Sequence, residues 1–436
     1  MRLGAGMAVT LALAAPAAAG ASVGNFGMAV QPDGKIVVAG GAGLAPEGGR
    51  EFGAVVRYLP DGRLDRSFDG DGVVLLRQQR PFTAVALQEN GRILVASPIG
   101  GRAGLTRLLP SGALDTSFGE GGYLYGGAST SFFPTSLAVG KSGRIFVGGM
   151  TGYPQDSGEH WYGWLYSVTS NGRSGGVFGG MTTGQSDQPK TFVNDFVFDP
   201  GGSVVVAGTV AERRADAKAH AALARLLPGS VEPGGTPTAP DPAFGGGLVA
   251  SDIFPASPMP EAANALSRHE GGLLIAGEAG GSMLVSRYFG NGTKDNGFGR
   301  RGFWTINVGG TSAVANALAV DAKGGIFVAG STSSRCAGGE CSSLLLAHLA
   351  RFGHPVKRWG HDGILTPAPA YARLPGFEVA YDLALRPQGR VLVGGLVGDP
   401  SSSRFFLRRY LADGTPDRSF GRRGRVTTLP VAVRPR

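Results

Sequence analysis

The sequence predicts an all-β protein, a seven-bladed β-propeller with four short antiparallel strands per blade. Three observations carry that prediction. A strand–turn–strand unit returns seven times along the chain. Every copy places one large aromatic residue at nearly the same register. Gly accounts for 75 of 436 residues, more than twice the usual share of about 7%, and the excess falls between apolar runs, where tight turns belong.

The first half of each unit is an apolar strand, a two-residue turn and a second apolar strand. Residues 29–40 (AVQPDGKIVVAG) set the pattern, and 86–97, 138–149, 197–208, 267–277, 319–330 and 384–395 repeat it. The turn glycines are Gly34, Gly91, Gly143, Gly202, Gly271, Gly324 and Gly389. Asp-Gly and Asn-Gly at such a turn suit a tight hairpin, because its central residues need positive φ. The second half is a strand, a turn, an aromatic and a short strand, clearest in residues 57–76 (RYLPDGRLDRSFDGDGVVLL). The aromatics are Phe68, Phe118, Phe178, Phe244, Phe298, Trp359 and Phe420. Burying one such ring contributes roughly 1.5–3 kcal/mol, so a ring at fixed register marks a repeated packing interface. Four strands per unit is the content of one propeller blade. No unit shows apolar residues at helical spacing, which excludes helical repeats.

The predicted blades span approximately 25–77, 82–127, 134–184, 192–250, 262–307, 315–366 and 379–428, within one domain over 24–428. Residues 1–21 read as a signal peptide: Arg2, an apolar run from Leu3 to Ala15, then small residues suited to cleavage. Export to the cell envelope or beyond is the corresponding expectation, with no membrane span after removal of the leader. Residues 429–436 form a basic tail.

The pattern LDxSFGxxGxV…ALQPDGKIxVAG…RYxPDG, best carried by residues 64–74, 29–40 and 57–62, resembles the delta-60 repeat of exported bacterial proteins, and more distantly the NHL repeat. That resemblance implies a β-propeller and assigns no activity. Units three and six depart from the pattern at its Arg and Asp positions.

Variation among the units supplies a further expectation. Arg57, Arg107, Arg225, Arg287 and Arg409 share one strand position, and Asp65, Asp115, Asp241, Asp295 and Asp417 share the following loop position. In units three and six both are lost together, to Ser167 and Gly175 and to His348 and Val356. Joint presence and joint loss predict ion pairs with a structural role, because a lone buried charge is costly.

The formal charge is +9, from 41 basic and 32 acidic side chains. Most basic residues are dispersed Arg, apart from a cluster between Arg404 and Arg425, and nucleic acid is disfavoured as a partner of an exported protein. The two cysteines, Cys336 and Cys341, predict a local disulfide. They offer too few ligands for zinc, and neither a metal nor a cofactor is expected.

Length variation between units gathers in segments 41–51, 150–160, 209–219 and 331–343, with 251–263 and 367–379 between blades, and these are expected to be loops on one face. Insertions in repeat proteins commonly mark the binding face. Tyr153, His160, Trp161 and Tyr162 are the candidate binding residues, with sugar stacking as one chemistry and blade packing as the competing reading for Tyr162. No nucleophile elbow, zinc-helix motif or phosphate loop occurs. Innermost strands such as 28–31, 84–88 and 317–321 hold few ionisable groups, and the pair His361-Asp362, in the Gly-rich turn after Trp359, is weak as a proton-transfer dyad. The sequence therefore favours a non-enzymatic exported scaffold that binds protein or glycan. The alternative is a propeller hydrolase or lyase with a site at the channel mouth.

Overall fold

The computed structural model describes residues 7–8, 26–42, 52–76, 80–99, 102–126, 132–155, 158–173, 175–180, 190–211, 218–227, 240–251, 253, 257, 259–336, 339–367, 376–399 and 402–429. The calls on the leader, apart from residues 7 and 8, and on nearly all of the basic tail fall outside these residues.

The architecture is all-β and propeller-like, a succession of four-stranded antiparallel meanders. Unit one runs Phe26–Val30, Ile36–Ala42, Phe52–Tyr58 and Val73–Leu76, each strand bonded to the next. The same order holds in Ala84–Gly126, Phe132–Gly180, Lys190–Ala250 and Glu261–Ile306. The strands between Ser312 and Leu365 and those between Phe377 and Thr428 form two further meanders, joined by a single parallel bridge from Ser342 to Phe377. The short strand Met7–Ala8 pairs with Leu137 and Ser136 on the first strand of unit three.

Alternation within a strand explains why these strands read as nearly unbroken apolar runs. Side chains at successive positions point to opposite faces, and both faces are covered. Ile36, Val38, Ala54 and Val56 pack against Tyr381, Leu392 and Phe405 of unit seven. Val37, Ala39 and Val55 face Phe82, Val85 and Val95 of unit two. The first and last units thus share a core, and the ring is closed. Arg425–Thr428 pairs with Phe405–Arg408 of its own unit and not with unit one, so each end of the chain completes its own meander.

Glycine at the end of the second strand (the VAG of the repeat) answers to the inner strand opposite. In units four to seven that inner strand bulges by one residue, at Asn194, Asn264, Asn316 and Tyr381. The bulge pushes a carbonyl towards the partner strand. A Cβ on Gly208 would lie 1.8 Å from the Phe192 oxygen, and one on Gly277 1.8 Å from the Ala262 oxygen, so no other residue fits.

Candidate functional site

Meander topology divides the loops between two ends of the ring. The first-to-second and third-to-fourth strand turns share one end. The second-to-third hairpin tips and the inter-unit connections share the other.

The turn end holds the recurring arginines. Arg57, Arg107, Arg225 and Arg409 each donate from Nε to the Asp of their own unit, at 2.8, 2.9, 2.8 and 2.8 Å, and Arg287 Nη1 lies 3.2 Å from Asp295. The contact is not a fork onto two carboxylate oxygens. In units one, two and seven Nη2 turns instead to a Ser two residues past the Asp, namely Ser67, Ser117 and Ser419. That hydroxyl in turn donates to the other carboxylate oxygen at 2.6–2.7 Å. The remaining Nη1 reaches the next unit. Arg57 donates to the Pro110 carbonyl, Arg107 to Ser170 at 2.7 Å, and Arg409 to Pro60 across the ring closure at 2.6 Å. The guanidinium also lies over the unit's own aromatic, 4.5 Å from the Phe68 and Phe118 centroids and 4.6 Å from Phe420, an attraction to the ring face. Each Arg is therefore a clasp within one unit and a tie to the next.

The aromatics make the same passage between units. Phe68, Phe118, Phe298 and Phe420 are fully buried. They seat on the turn glycines Gly112, Gly172, Gly353 and Gly62, where a Cβ would meet the ring at 2.7–3.1 Å. The side chain of Phe178 lies outside the described residues. Sequence reading missed a second cation on the clasp carboxylates. The residue after the first turn Gly supplies it, with Lys35 at 3.2 Å from Asp65, Arg92 at 2.7 Å from Asp115 and Arg390 at 3.3 Å from Asp417. The signal was present in the motif as Gly-Lys or Gly-Arg. Burial alone would raise the Asp65 and Asp115 carboxyls. Hydrogen bonds from the neighbouring Ser and from Lys35 or Arg92, with the charge of the clasp Arg, outweigh it and hold both at about 2.

Units three and six lack the clasp. Ser167 is buried in unit three. In unit six His348 stacks on Phe327 with centroids 3.9 Å apart and meets Trp359 edge-on at 5.6 Å. Burial lowers the pKa of His348, with Asp321 acting in the opposite direction.

At the hairpin end two of the expected loops are strands. Segment 150–160 continues the ribbon Ile145–Gln155/Gly158–Val168, and 331–343 continues Ile326–Cys336/Gly339–Leu349. Every strand of these two ribbons has 11 residues, against 7 for the corresponding strands of units one and two. The expectation failed because Ser, Thr and Gly runs read as loop, yet here they pair in unbroken register. In unit three Tyr153 faces His160 across the ribbon, and Trp161 pairs with Gly152. The side chains of these three lie outside the described residues. Tyr162 is buried, 6% exposed, which corrects its assignment as an exposed binding aromatic: strand alternation turns it into the packing. In unit six a disulfide joins Cys336 and Cys341 across the ribbon, and the Ser333 and Ser342 hydroxyls meet at 3.3 Å.

The inner strands are less apolar than the sequence suggested, and four carboxylates were missed. Asp195 accepts the amides of Phe196 at 2.8 Å and of Leu266, in the next unit, at 2.7 Å. Asp382 accepts those of Leu383 at 2.8 Å and, across the ring closure, Met28 at 3.0 Å. Burial raises Asp195 to about 8, against the pull of its two amide donors, and raises Asp382 well above the usual range. Bulge side chains add rungs in series. Asn194 donates to the Ala263 carbonyl, Asn264 to Ala315 and Asn316 to Ala380, at 2.8–3.0 Å. Further out, Glu261 is paired with Lys218 at 3.0 Å and Glu378 with Arg408 at 2.6 Å. The only sequence signal was an Asp or Glu inside an otherwise apolar strand.

His361 and Asp362 are strongly exposed, 3.9 Å apart, with no geometry for proton transfer. Asp321 accepts the Lys323 and Gly325 amides of its own turn, and Asp199 pairs with Arg268 of the next unit. Among the described residues no group of three or more His, Cys, Asp or Glu is placed to hold a metal ion. No helix among them is long and apolar enough to cross a membrane.

Closed, cross-tied meanders of this kind define a β-propeller. A family model described as "Domain of unknown function (DUF5122) beta-propeller" matches residues 31–68, 88–118 and 387–420. Those stretches fall in units one, two and seven, the three with the complete Arg–Asp–Ser clasp and its second cation. No curated protein matches in sequence. Among solved structures, the chain is similar to a polysaccharide lyase, PL25 ulvan lyase, at 13% identity, covering 75% of this chain and 78% of that one with a TM-score of 0.42. A protein from Lactobacillus plantarum is similar at 11% identity, with 86% and 92% covered and a TM-score of 0.45. A glucose dehydrogenase follows at 11% identity, with 74% and 94% covered and a TM-score of 0.41.

Proposed function

We propose that the chain is a seven-bladed propeller of delta-60-type repeats, exported by its leader, which acts as a non-enzymatic binding scaffold for protein or glycan. Its binding face is the hairpin end. The observation that carries this reading is the pair of 11-residue ribbons in units three and six. They extend two hairpins beyond their counterparts at the end where the inter-unit connections also vary, and a disulfide cross-links one of them. Two stiff ribbons at one end of a ring offer a preorganised recognition surface, which lowers the ordering cost of association. The inner carboxylates support binding over hydrolysis or lyase chemistry. Asp195 and Asp382 are consumed by backbone amides and held towards the protonated form. Glu261 and Glu378 are neutralised by Lys218 and Arg408.

The test is a screen of the exported chain against glycans and envelope proteins, repeated with Trp161→Ala and with the unit-six ribbon cut back to the length of units one and two. A ligand that binds the parent and loses affinity in either variant supports the reading. Turnover of a glycan that survives both changes and is abolished by Asp195→Asn or Asp382→Asn would establish the channel-mouth enzyme instead.

A further inference from the structure

The turn end of the ring is electrically lopsided. The third-to-fourth strand turn of unit one carries Arg63 and Arg66 against Asp61, Asp69 and Asp71, with Arg63 paired to Asp61 at 2.7 Å. In unit two the same turn adds only Glu120 outside the clasp. In unit five it carries Lys294, Arg300 and Arg301 and no free carboxylate. Unit six offers Arg351, Lys357 and Arg358 against Asp362, and unit seven Arg418, Arg422 and Arg423 against Asp413. Glu270, from a hairpin turn of unit five, answers Arg351 at 3.0 Å. The surplus is a continuous cationic arc on units five to seven, because each turn adjoins the next: the Gly299 amide donates to the Phe352 carbonyl at 2.7 Å and Gly360 to Asp413 at 3.1 Å.

Two details distinguish this arc from an ordinary solvated face. Gly-Arg-Arg-Gly occurs at 299–302 and again at 421–424, at equivalent turn positions. In both, the second Arg has left-handed backbone, φ +57 at Arg301 and +56 at Arg423, where unit two has Gly121. A non-glycine residue there costs about 1–2 kcal/mol. Unit six holds Asp362 in the same left-handed slot, but no carboxylate among the described residues pairs with Arg300, Arg301, Arg422 or Arg423. Each motif also borders an open cleft. One of about 560 Å³ is lined by Arg300, Arg301, Trp304 and His354, and one of about 630 Å³ by Thr415, Arg418 and Arg423.

We propose that this arc is a second docking surface, for an acidic polysaccharide carrying carboxylate or sulfate groups, on the face opposite the ribbons. Guanidinium groups recognise such planar or tetrahedral oxyanions. Cations repeated from unit to unit, flanked by open clefts, suit an extended polymer better than a small anion. Trp304 lines the cleft beside the unit-five Arg pair, and Phe352, 49% exposed, carries Arg351 over its ring at 4.8 Å in the adjoining turn, so a sugar ring can meet an aromatic and a cation together. Single-stranded nucleic acid would call for a succession of stacking platforms, whereas the strongly exposed Phe and Trp residues of these turns, among the described residues, are Phe289 and Phe352 alone.

The full chain is tested by affinity electrophoresis and calorimetry against polygalacturonate, dextran sulfate, neutral dextran and duplex DNA. The variant is Arg300→Gln/Arg301→Gly/Arg422→Gln/Arg423→Gly, and Arg63→Gln/Arg66→Gln is the charge-loss control. Glycine at 301 and 423 suits the backbone already present, so folding is preserved, and the unfolding midpoint checks it. The arc binds at least one acidic glycan and not neutral dextran. Affinity falls with salt, as counterion release requires, and drops by at least about tenfold in the quadruple variant while the control stays within about twofold. Undiminished glycan binding by the quadruple variant overturns the proposal, as does duplex DNA binding as tightly as either acidic glycan.

Discussion

Units one and two differ from units three and six in two respects at once. The first pair has seven-residue hairpin strands and a full Arg–Asp–Ser clasp tied into the following unit; unit seven keeps the same clasp on hairpin strands of 10 and 9 residues. The second pair has no clasp and 11-residue ribbons. All build a four-stranded sheet, so the clasp is not what makes strands pair. It fixes how one sheet meets the next, through an arginine that touches a carboxylate, a ring and a neighbour's carbonyl. Where it is missing, other packing substitutes, such as His348 stacked between Phe327 and Trp359. The repeat thus divides two tasks: clasped units tie the ring together, and the two unclasped units carry the longest ribbons.

Breaking a clasp is the most direct attack on that division. Arg57 is 4% exposed, and Arg57→Met leaves a buried Asp65 with Lys35 as its one remaining cation beside the Ser67 hydroxyl and amide. A loss of about 3–5 kcal/mol in denaturant unfolding is expected. Adding Asp65→Leu should recover much of it, since no charge is then left unpaired. A double variant that loses the sum of the single losses would show the two groups to be independent.

The interlock between aromatic and turn comes next in size. Gly172 has φ +74, and a Cβ there would sit 2.7 Å from Phe118. Gly172→Ala should cost about 1–3 kcal/mol, because residue 172, although in a turn, is buried against that ring. A neutral outcome would mean that unit three, unclasped itself, yields to its neighbour's ring.

A further contrast is in pH. Asp65 and Asp115 sit near 2 in the folded chain, below the unfolded value of about 3.9. Their contribution is present above about pH 4 and is lost as pH falls towards 2. Asp195 is displaced upward to about 8, so its contribution is complete below about pH 4 and is lost as pH rises through about 8. Stability should peak in mild acid, and Asp195→Asn should flatten the decline on the alkaline side. Midpoints of urea unfolding across pH 3 to 9, on the order of one measurement per pH unit, decide it.

Much of the ring was legible in the sequence because the sequence repeats. Turn glycines, one aromatic per unit and the joint loss of Arg and Asp in units three and six are comparisons the chain makes with itself. What did not repeat stayed hidden. Asp195 and Asp382 occupy a site that is Ala265 or Ala317 in other units, so no pattern singled them out. Thr332, Ser333 and Ser334 have loop composition, and only pairing with Ser343, Ser342 and Cys341 makes them strand. The tie from Arg Nη1 to the next unit was out of reach for another reason: a repeat shows what each unit contains, not which neighbour it touches.

Thermal unfolding of three chains side by side tests the division of labour most directly: the parent, Arg57→Met/Arg107→Met, and a chain whose unit-six ribbon is trimmed to seven-residue strands. The account predicts a midpoint at least about 5 °C lower for the clasp variant, with the trimmed chain unfolding within about 1 °C of the parent. A trimmed chain that unfolds as early as the clasp variant would contradict it, because the ribbons would then be holding the ring.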